Sequence, residues 1–180
     1  EGLGLARLGL QDPAEVEASR DDVDGLGKLF DPYRRHLADR GAVDFDEQVY
    51  GAVEALLHDG AFRRSMQARC RHLLVDEFQD LTPAHVLLVR LLALPALDVF
   101  GVGDDDQVIY GHQAADPGFL IHYDRLFPGA AAHPLTVNYR CPVPVVQGAR
   151  TLLGYSRRRV DKEILPGPAA DAAPDGLRIV

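Results

Sequence analysis

The stretch Leu73-Leu74-Val75-Asp76-Glu77-Phe78-Gln79-Asp80 decides how this chain is read: an apolar run stops abruptly on two adjacent carboxylates. A buried strand delivers a metal-binding acid and a water-activating acid to a nucleotide in this way. A second apolar run, Val99 to Val102, ends on Gly103-Asp104-Asp105-Asp106-Gln107. A third, Leu135 to Val137, ends on Asn138-Tyr139-Arg140. Three predicted strands thus end in groups of the kind that handle phosphate, magnesium and a base.

Between the first two runs, Leu81-Thr82-Pro83 supplies a helix start, with Thr82 able to cap and Pro83 suited to the first turn. Ala84 to Leu94 carries Val86, Leu87, Val89, Leu91 and Leu92 and predicts a largely buried helix, which Pro95 stops. Residues 73 to 102 therefore form a β-α-β unit, with both strands parallel in one sheet and a right-handed crossover. In such sheets ligands bind beyond the carboxyl ends of the strands. Both acidic clusters fall at that edge.

Upstream, apolar residues recur at three- and four-residue spacing through Phe30, Tyr33 and Leu37, then Phe45, Val49, Val53, Leu56 and Leu57. This predicts two amphipathic helices broken near Gly41. Asp44 stands at an N-cap, with Glu47 three residues on, in the outline of a capping box. A further helix is predicted from Phe62 to Arg69. The N-terminal residues through Asp24 carry Asp12, Glu15, Glu17, Asp21, Asp22 and Asp24 among scattered Leu and Val, which reads as short helices with a solvated acidic face and no chemistry. Downstream, residues 108 to 127 read as a loop and a helix ended by Pro128-Gly129, and a helix follows from about Pro144 to Leu153. Arg157-Arg158-Arg159 with Lys162 is the one basic cluster, suited equally to DNA or to a solvated helix end. The Pro- and Ala-rich stretch 166–176 reads as a linker before a short strand beginning at Leu177.

The bulk numbers set limits. A chain of 180 residues, 47% hydrophobic and 26% charged, is long enough for one substantial core or one core and part of another. A net charge of -8 argues against gripping nucleic acid by charge alone, since counterion release needs clustered Lys and Arg. It leaves room for a local basic groove on a larger protein. Cys70 and Cys141 stand far apart, with no C-x-x-C pattern and no secretory segment at the start, which reads as reduced thiols in a cytoplasmic protein. No run approaches the roughly 18 apolar residues that a membrane span requires.

Nucleotide hydrolysis needs a metal against the β and γ phosphates, a water in line, and neutralisation of charge on the transferred group. Asp76 suits the metal shell and Glu77 the base. An Asp-Glu pair after a strand also serves as a helix cap, Gln107 as a surface turn residue, Tyr110 as a core tyrosine and Arg140 as a surface cation.

The motifs V-D-E-F-Q-D (75–80), V-G-D-D-D-Q-V-I-Y-G (102–111), N-Y-R-C (138–141) and R-R-R-V-D-K (157–162), in this order, resemble the UvrD/Rep family of superfamily 1 DNA helicases. Val43-Asp44-Phe45-Asp46 is similar to the family's D-F-x-x-L segment, with Val49 displacing the usual Leu. The likeness runs from roughly Phe30 to Leu165. It implies an α/β fold: part of a RecA-like P-loop NTPase motor with a parallel sheet flanked by helices, plus a helical N-terminal segment. Residues 1–40 would end an inserted helical subdomain, 41–140 would be the latter part of the first motor domain, and 141–180 would start the second.

The resemblance also implies ATP and Mg²⁺ as cofactors. Asp76 would hold the metal, Glu77 would activate water, and Gln107 would touch the γ-phosphate and link its presence to DNA. Tyr139 would pack on the nucleotide base, and Arg140 would reach the γ-phosphate as a finger-like cation whose fork binds oxygens at two points. Tyr110 would stack a DNA base, and His112 would do so over a smaller face. Where the family carries an aromatic followed by Arg-Gly-Ala, this chain has His112-Gln113-Ala114-Ala115, which removes one polar contact. The phosphate-binding loop G-x-x-x-x-G-K-[ST] is missing; Gly25-Leu26-Gly27-Lys28-Leu29 has the wrong spacing and no Ser or Thr. The expected activity is that of an ATP-dependent helicase moving 3′ to 5′ on single-stranded DNA and opening duplex junctions in repair or recombination, with this fragment inactive alone. Two alternatives stay open: a helicase-nuclease subunit of the RecB or AddA kind, and a degenerate motor serving as a DNA-binding scaffold.

Overall fold

The computed structural model describes residues 1–108, 114–156, 159–160 and 162–168, and the chain divides into two compact units, Glu1–His122 and Tyr123–Val180. The first unit opens with two short helices, α1 (Gly2–Arg7) and α2 (Pro13–Ala18), followed by the longer α3 (Leu26–Asp39), α4 (Phe45–His58) and α5 (Gly60–Arg69). Strand β1 (Leu73–Val75), helix α6 (Pro83–Ala93) and strand β2 (Val99–Gly101) make the expected β-α-β unit, and α7 (Gly118–Ile121) closes the described part. The break between α3 and α4 contains Gly41, whose φ of 61° lies in the left-handed region that glycine enters without a Cβ clash.

The acidic N-terminal residues fix local geometry. Asp12 caps α2 by accepting from the Ala14 and Glu15 amides. The Glu17 carboxylate accepts from the Gly25 and Gly27 amides at the start of α3, bonds that hold its pKa below the usual carboxylate range. The amides of the rejected Gly25–Leu29 candidate thus already bind an anion, one supplied by the chain itself.

Asp44 caps α4 through the Glu47 amide, as its position predicts. The reciprocal half of the capping box does not form. Glu47 turns its carboxylate to Arg34 at 2.6–3.0 Å, because a charge-assisted forked bond outweighs a bond to one neutral amide. Arg34 also pairs with Glu54 and lies 4.7 Å from the centre of the Tyr50 ring. Arg7, only 3% exposed, reaches from α1 to both Asp44 oxygens at 2.8 and 2.9 Å and to Asp46 at 3.2 Å. The Tyr33 hydroxyl donates to Asp44 at 2.8 Å. Burial pushes the Asp44 carboxyl up, but the Glu47 amide, Tyr33 and Arg7 together hold it below its ordinary value. One charged network thereby ties α1, α3 and α4.

The apolar core beside it is built from Val53 and Leu56 of α4 and Leu91 of α6, packed with Met66, Leu87, Leu88 and Leu92. Thr82 caps α6 and Pro83 occupies its first turn. The cap is a reciprocal box in which His85 takes the place of the usual Glu or Gln, its Nδ1 lying 2.8 Å from the Thr82 hydroxyl.

Strands β1 and β2 pair in parallel, Leu73 with Val99, Leu74 with Phe100 and Val75 with Gly101. The expectation of a parallel sheet flanked by helices is met in part. Among the described residues this sheet has two strands, and Leu74 and Phe100, cross-strand partners on one face, are 79% and 58% exposed. Parallel sheets ordinarily have both faces covered; here the helices of the unit leave that face open.

The second unit contains α8 (Tyr123–Leu126), β3 (Val137–Asn138), α9 (Val143–Leu153) and β4 (Leu165–Pro166). The third predicted strand is shifted downstream: Leu135 is exposed, and β3 begins where parallel pairing with β4 holds Val137 against Leu165. That pairing joins residues on either side of the 140/141 division suggested by the sequence. The strand expected from Leu177 lies outside the described residues. Both cysteines are free, and among the described residues no helix is long and apolar enough to cross a membrane.

Two stability measurements check this account. Arg7→Leu strips Asp44, Asp46 and Glu47 of their shared cation and lowers the urea-unfolding free energy by about 3 kcal/mol, the low end for breaking a buried pair because the acids keep some water. His85 has its pKa lowered by burial. The unfolded chain therefore takes up that proton first as pH falls below about 6.5, so this stabilisation is complete above that value and is lost towards the folded pKa. Thermal midpoints of the chain fall between pH 7.5 and 5.5, and His85→Gln reduces the slope.

Candidate functional site

Because β1 and β2 run parallel and in register, the backbone leaves both at the same edge. The pairing extends past the strands: the Val102 amide donates to the Val75 carbonyl and the Phe78 amide to the Val102 carbonyl, each at 2.8 Å. Asp76–Asp80 and Gly103–Gln107 are thus held side by side.

Asp76 is exposed, and its carboxylate accepts from the Glu77 amide at 2.9 Å. Glu77, also exposed, has φ 50° and ψ 46°. A non-glycine residue in this left-handed region carries a strain of about 1–3 kcal/mol and persists where the surroundings over-determine it. The determinants are on either side: β1 before it, and after it the 3-10 turn Phe78–Asp80, with Phe78 fully buried and Gln79 2% exposed. The kink turns the chain out of the strand and leaves the Glu77 side chain at the sheet edge.

A second turn faces it. Asp104 accepts from the Asp106 amide at 3.1 Å through one oxygen and from the Gln107 Nε2 at 2.9 Å through the other. Gln107 is therefore steered by Asp104. The carboxylates of Asp104, Asp105 and Asp106 offer oxygens within 4.8 Å of one another, with Asp105 buried.

The two turns are joined by Gln79. Its Nε2 donates to the Glu77 carboxylate at 2.7 Å and its Oε1 accepts from the Asp104 amide at 3.0 Å. A backbone N–H can only donate, so the Asp104 contact fixes which end of the amide is oxygen and directs the NH₂ to Glu77. Gly103 makes this approach possible: a Cβ there would lie 2.5 Å from the Gln79 Oε1 and 3.1 Å from the Phe78 nitrogen. Gln79 stands within the motif V-D-E-F-Q-D, where the sequence assigns chemistry only to Asp76 and Glu77. A polar residue placed next to a fully apolar Phe78 in a buried turn was the available signal.

Asp76, Glu77 and Gln107 thus stand at one sheet edge in the first unit. Tyr139 and Arg140, in the second unit, are both exposed just beyond β3. There the Asn138 side chain accepts from the Arg140 and Cys141 amides at 3.0 and 2.8 Å, which turns the chain sharply after the strand. Tyr110 and His112 lie outside the described residues, as do Arg157 and Arg158. Arg159 donates to the Leu153 carbonyl at the end of α9, the helix-end role open to that cluster.

Chemically, the edge offers hard oxygen donors. A Mg²⁺ ion typically takes one or two carboxylates and completes its shell with water and substrate phosphates. The exposed Asp76 carboxylate at a strand end fits that demand.

The UvrD/REP helicase N-terminal domain matches residues 6–128 of this chain. A DNA helicase II of Rickettsia typhi is 29% identical over 155 residues, which cover 84% of this chain and 24% of that protein. The ATP-dependent DNA helicase UvrD1 of Mycobacterium bovis is 29% identical over 181 residues, 92% of this chain and 24% of its own length. The ATP-dependent DNA helicase PcrA of Leuconostoc citreum is 25% identical over 164 residues, 90% of this chain and 22% of its own. The chain spans about a fifth to a quarter of the length of the curated relatives it matches. With the match covering the helical segment, the β-α-β unit and both strand-end turns, the chain belongs to the UvrD/REP helicase family.

Proposed function

We propose that this chain is part of the motor of an ATP-dependent DNA helicase, and that the edge shared by β1 and β2 is its hydrolytic side. The observation that carries this reading is the convergence of Asp76 and Glu77 with the Asp104–Gln107 turn, through a parallel register and a buried amide. Strand ends of this kind are where open α/β sheets bind ligands.

In this reading Asp76 holds Mg²⁺ and Glu77 accepts the proton of the attacking water. Gln107 contacts the γ-phosphate and relays its presence to DNA. Mg²⁺, when bound, neutralises charge on the β and γ phosphates of ATP. Arg140 stabilises the growing charge on the transferred group and Tyr139 packs on the base. Both side chains are exposed, as such contacts require. Tyr110 and His112 stack single-stranded DNA, a contact worth about 1–3 kcal/mol per base. Residues 1–40 belong to an inserted helical subdomain, 41–140 to the first motor domain and 141–180 to the second. The 180-residue chain is inactive alone, since it carries no G-x-x-x-x-G-K-[ST] cradle. The full-length protein is a cytoplasmic enzyme that translocates 3′ to 5′ and opens duplex junctions in repair or recombination.

ATP hydrolysis by the full-length protein, with and without single-stranded DNA, tests the reading. Glu77→Gln keeps the volume and removes the base. DNA-stimulated turnover then falls by about 10²- to 10⁴-fold, the range for general-base catalysis, while DNA binding persists. Turnover equal to wild type in that variant would sink the assignment of Glu77.

A further inference from the structure

We infer that Gln79 is a positioning residue that sets the Glu77 carboxylate from the backbone of the Gly103–Asp104 turn, so that the base and the loop bearing Gln107 move as one piece. The inference rests on the reading of Glu77 as the water-activating base. Glu77 is exposed, and an exposed glutamate samples several rotamers in water. Gln79 is buried and has no such freedom. It spends one end of its amide on the Asp104 amide, 25 positions away, and the other on the Glu77 carboxylate.

The connection continues. Asp104 directs the Gln107 side chain, so an unbroken path of three hydrogen bonds runs from Glu77 through Gln79 and Asp104 to Gln107. A glutamine that merely filled the turn would satisfy itself on nearby backbone. This one links two carboxylate-bearing turns and is admitted only because position 103 lacks a side chain. Orientation matters at this point, since a catalytic group displaced by about 1 Å can lose about 10²-fold in rate.

The test is steady-state ATP hydrolysis by the full-length protein at saturating single-stranded DNA, comparing wild type, Gln79→Met, Gln79→Leu and Glu77→Gln. Gln79→Met keeps the volume and removes both bonds. We expect kcat to fall about 10- to 100-fold with KM for ATP within about twofold, the signature of an interaction that acts on the chemical step and not on binding. Gln79→Leu removes both bonds with a shorter apolar side chain, and the same loss is expected of it. It serves alone if Gln79→Met does not fold. Wild-type kcat in the variant read, or a kcat loss matched by an equal rise in KM, overturns the inference. If Glu77→Gln abolishes hydrolysis while the Gln79 variants keep it, only the role of Gln79 falls. If Glu77→Gln hydrolyses ATP normally, the base assignment falls and this inference with it.

Discussion

Parallel pairing of Leu73–Val75 with Val99–Gly101 is the constraint from which the rest of the candidate site follows. Two strands that run in the same direction and in register must release their chains at the same edge, whatever residues come next. The sequence places Asp76-Glu77 after one and Gly103-Asp104 after the other. Bringing these segments together costs no further search, because α6 packs Leu91 into the helical core with Val53 and Leu56 and so fixes the crossover. A single buried side-chain amide, that of Gln79, then bonds the Glu77 carboxylate on one side and the Asp104 backbone N–H on the other.

Close approach at that edge makes its own demands. The amide of Phe78 bonds to Val102, and the Gln79 side chain lies where a Cβ at position 103 would stand. Glycine is the residue that permits this contact. Glu77 accepts a left-handed backbone to turn out of β1 just before the buried Phe78. Small size at one position, strain at another and burial of a polar group at a third are three local departures from what stability alone would favour. All of them sit within the two turns that carry the proposed chemistry, and strain held by its surroundings is found at such sites.

The helical part is organised by charge as much as by apolar packing. Arg7 is buried against Asp44 and Asp46, and the half-buried Arg34 pairs with Glu47 and Glu54, so three helices are joined by ion pairs, and one of the acids, Asp44, is also a helix cap. Asp44 does both at once: it holds the Glu47 amide and accepts from Arg7 and Tyr33. The D-F segment that the sequence marks as family-like is therefore a structural junction in this chain, with Phe45 itself exposed.

The sequence by itself determined the elements whose causes are local. Asp44, Thr82 and Pro83 mark helix starts because a cap acts on amides two or three residues away, and the acidic strand ends are legible because strand and motif are contiguous. The family was legible too, from four motifs in order. The tertiary structure alone decided where side chains distant in sequence meet. Glu47 leaves its capping box for Arg34, 13 positions off; Gln79 finds Asp104, 25 positions off; and β3 starts at Val137 because β4 pairs there. It also decided that the Leu74 and Phe100 face stays open. Hydrophobic pattern fixes which residues prefer burial, but register and packing fix which polar groups come within 3 Å of each other, and that distance sets their chemistry.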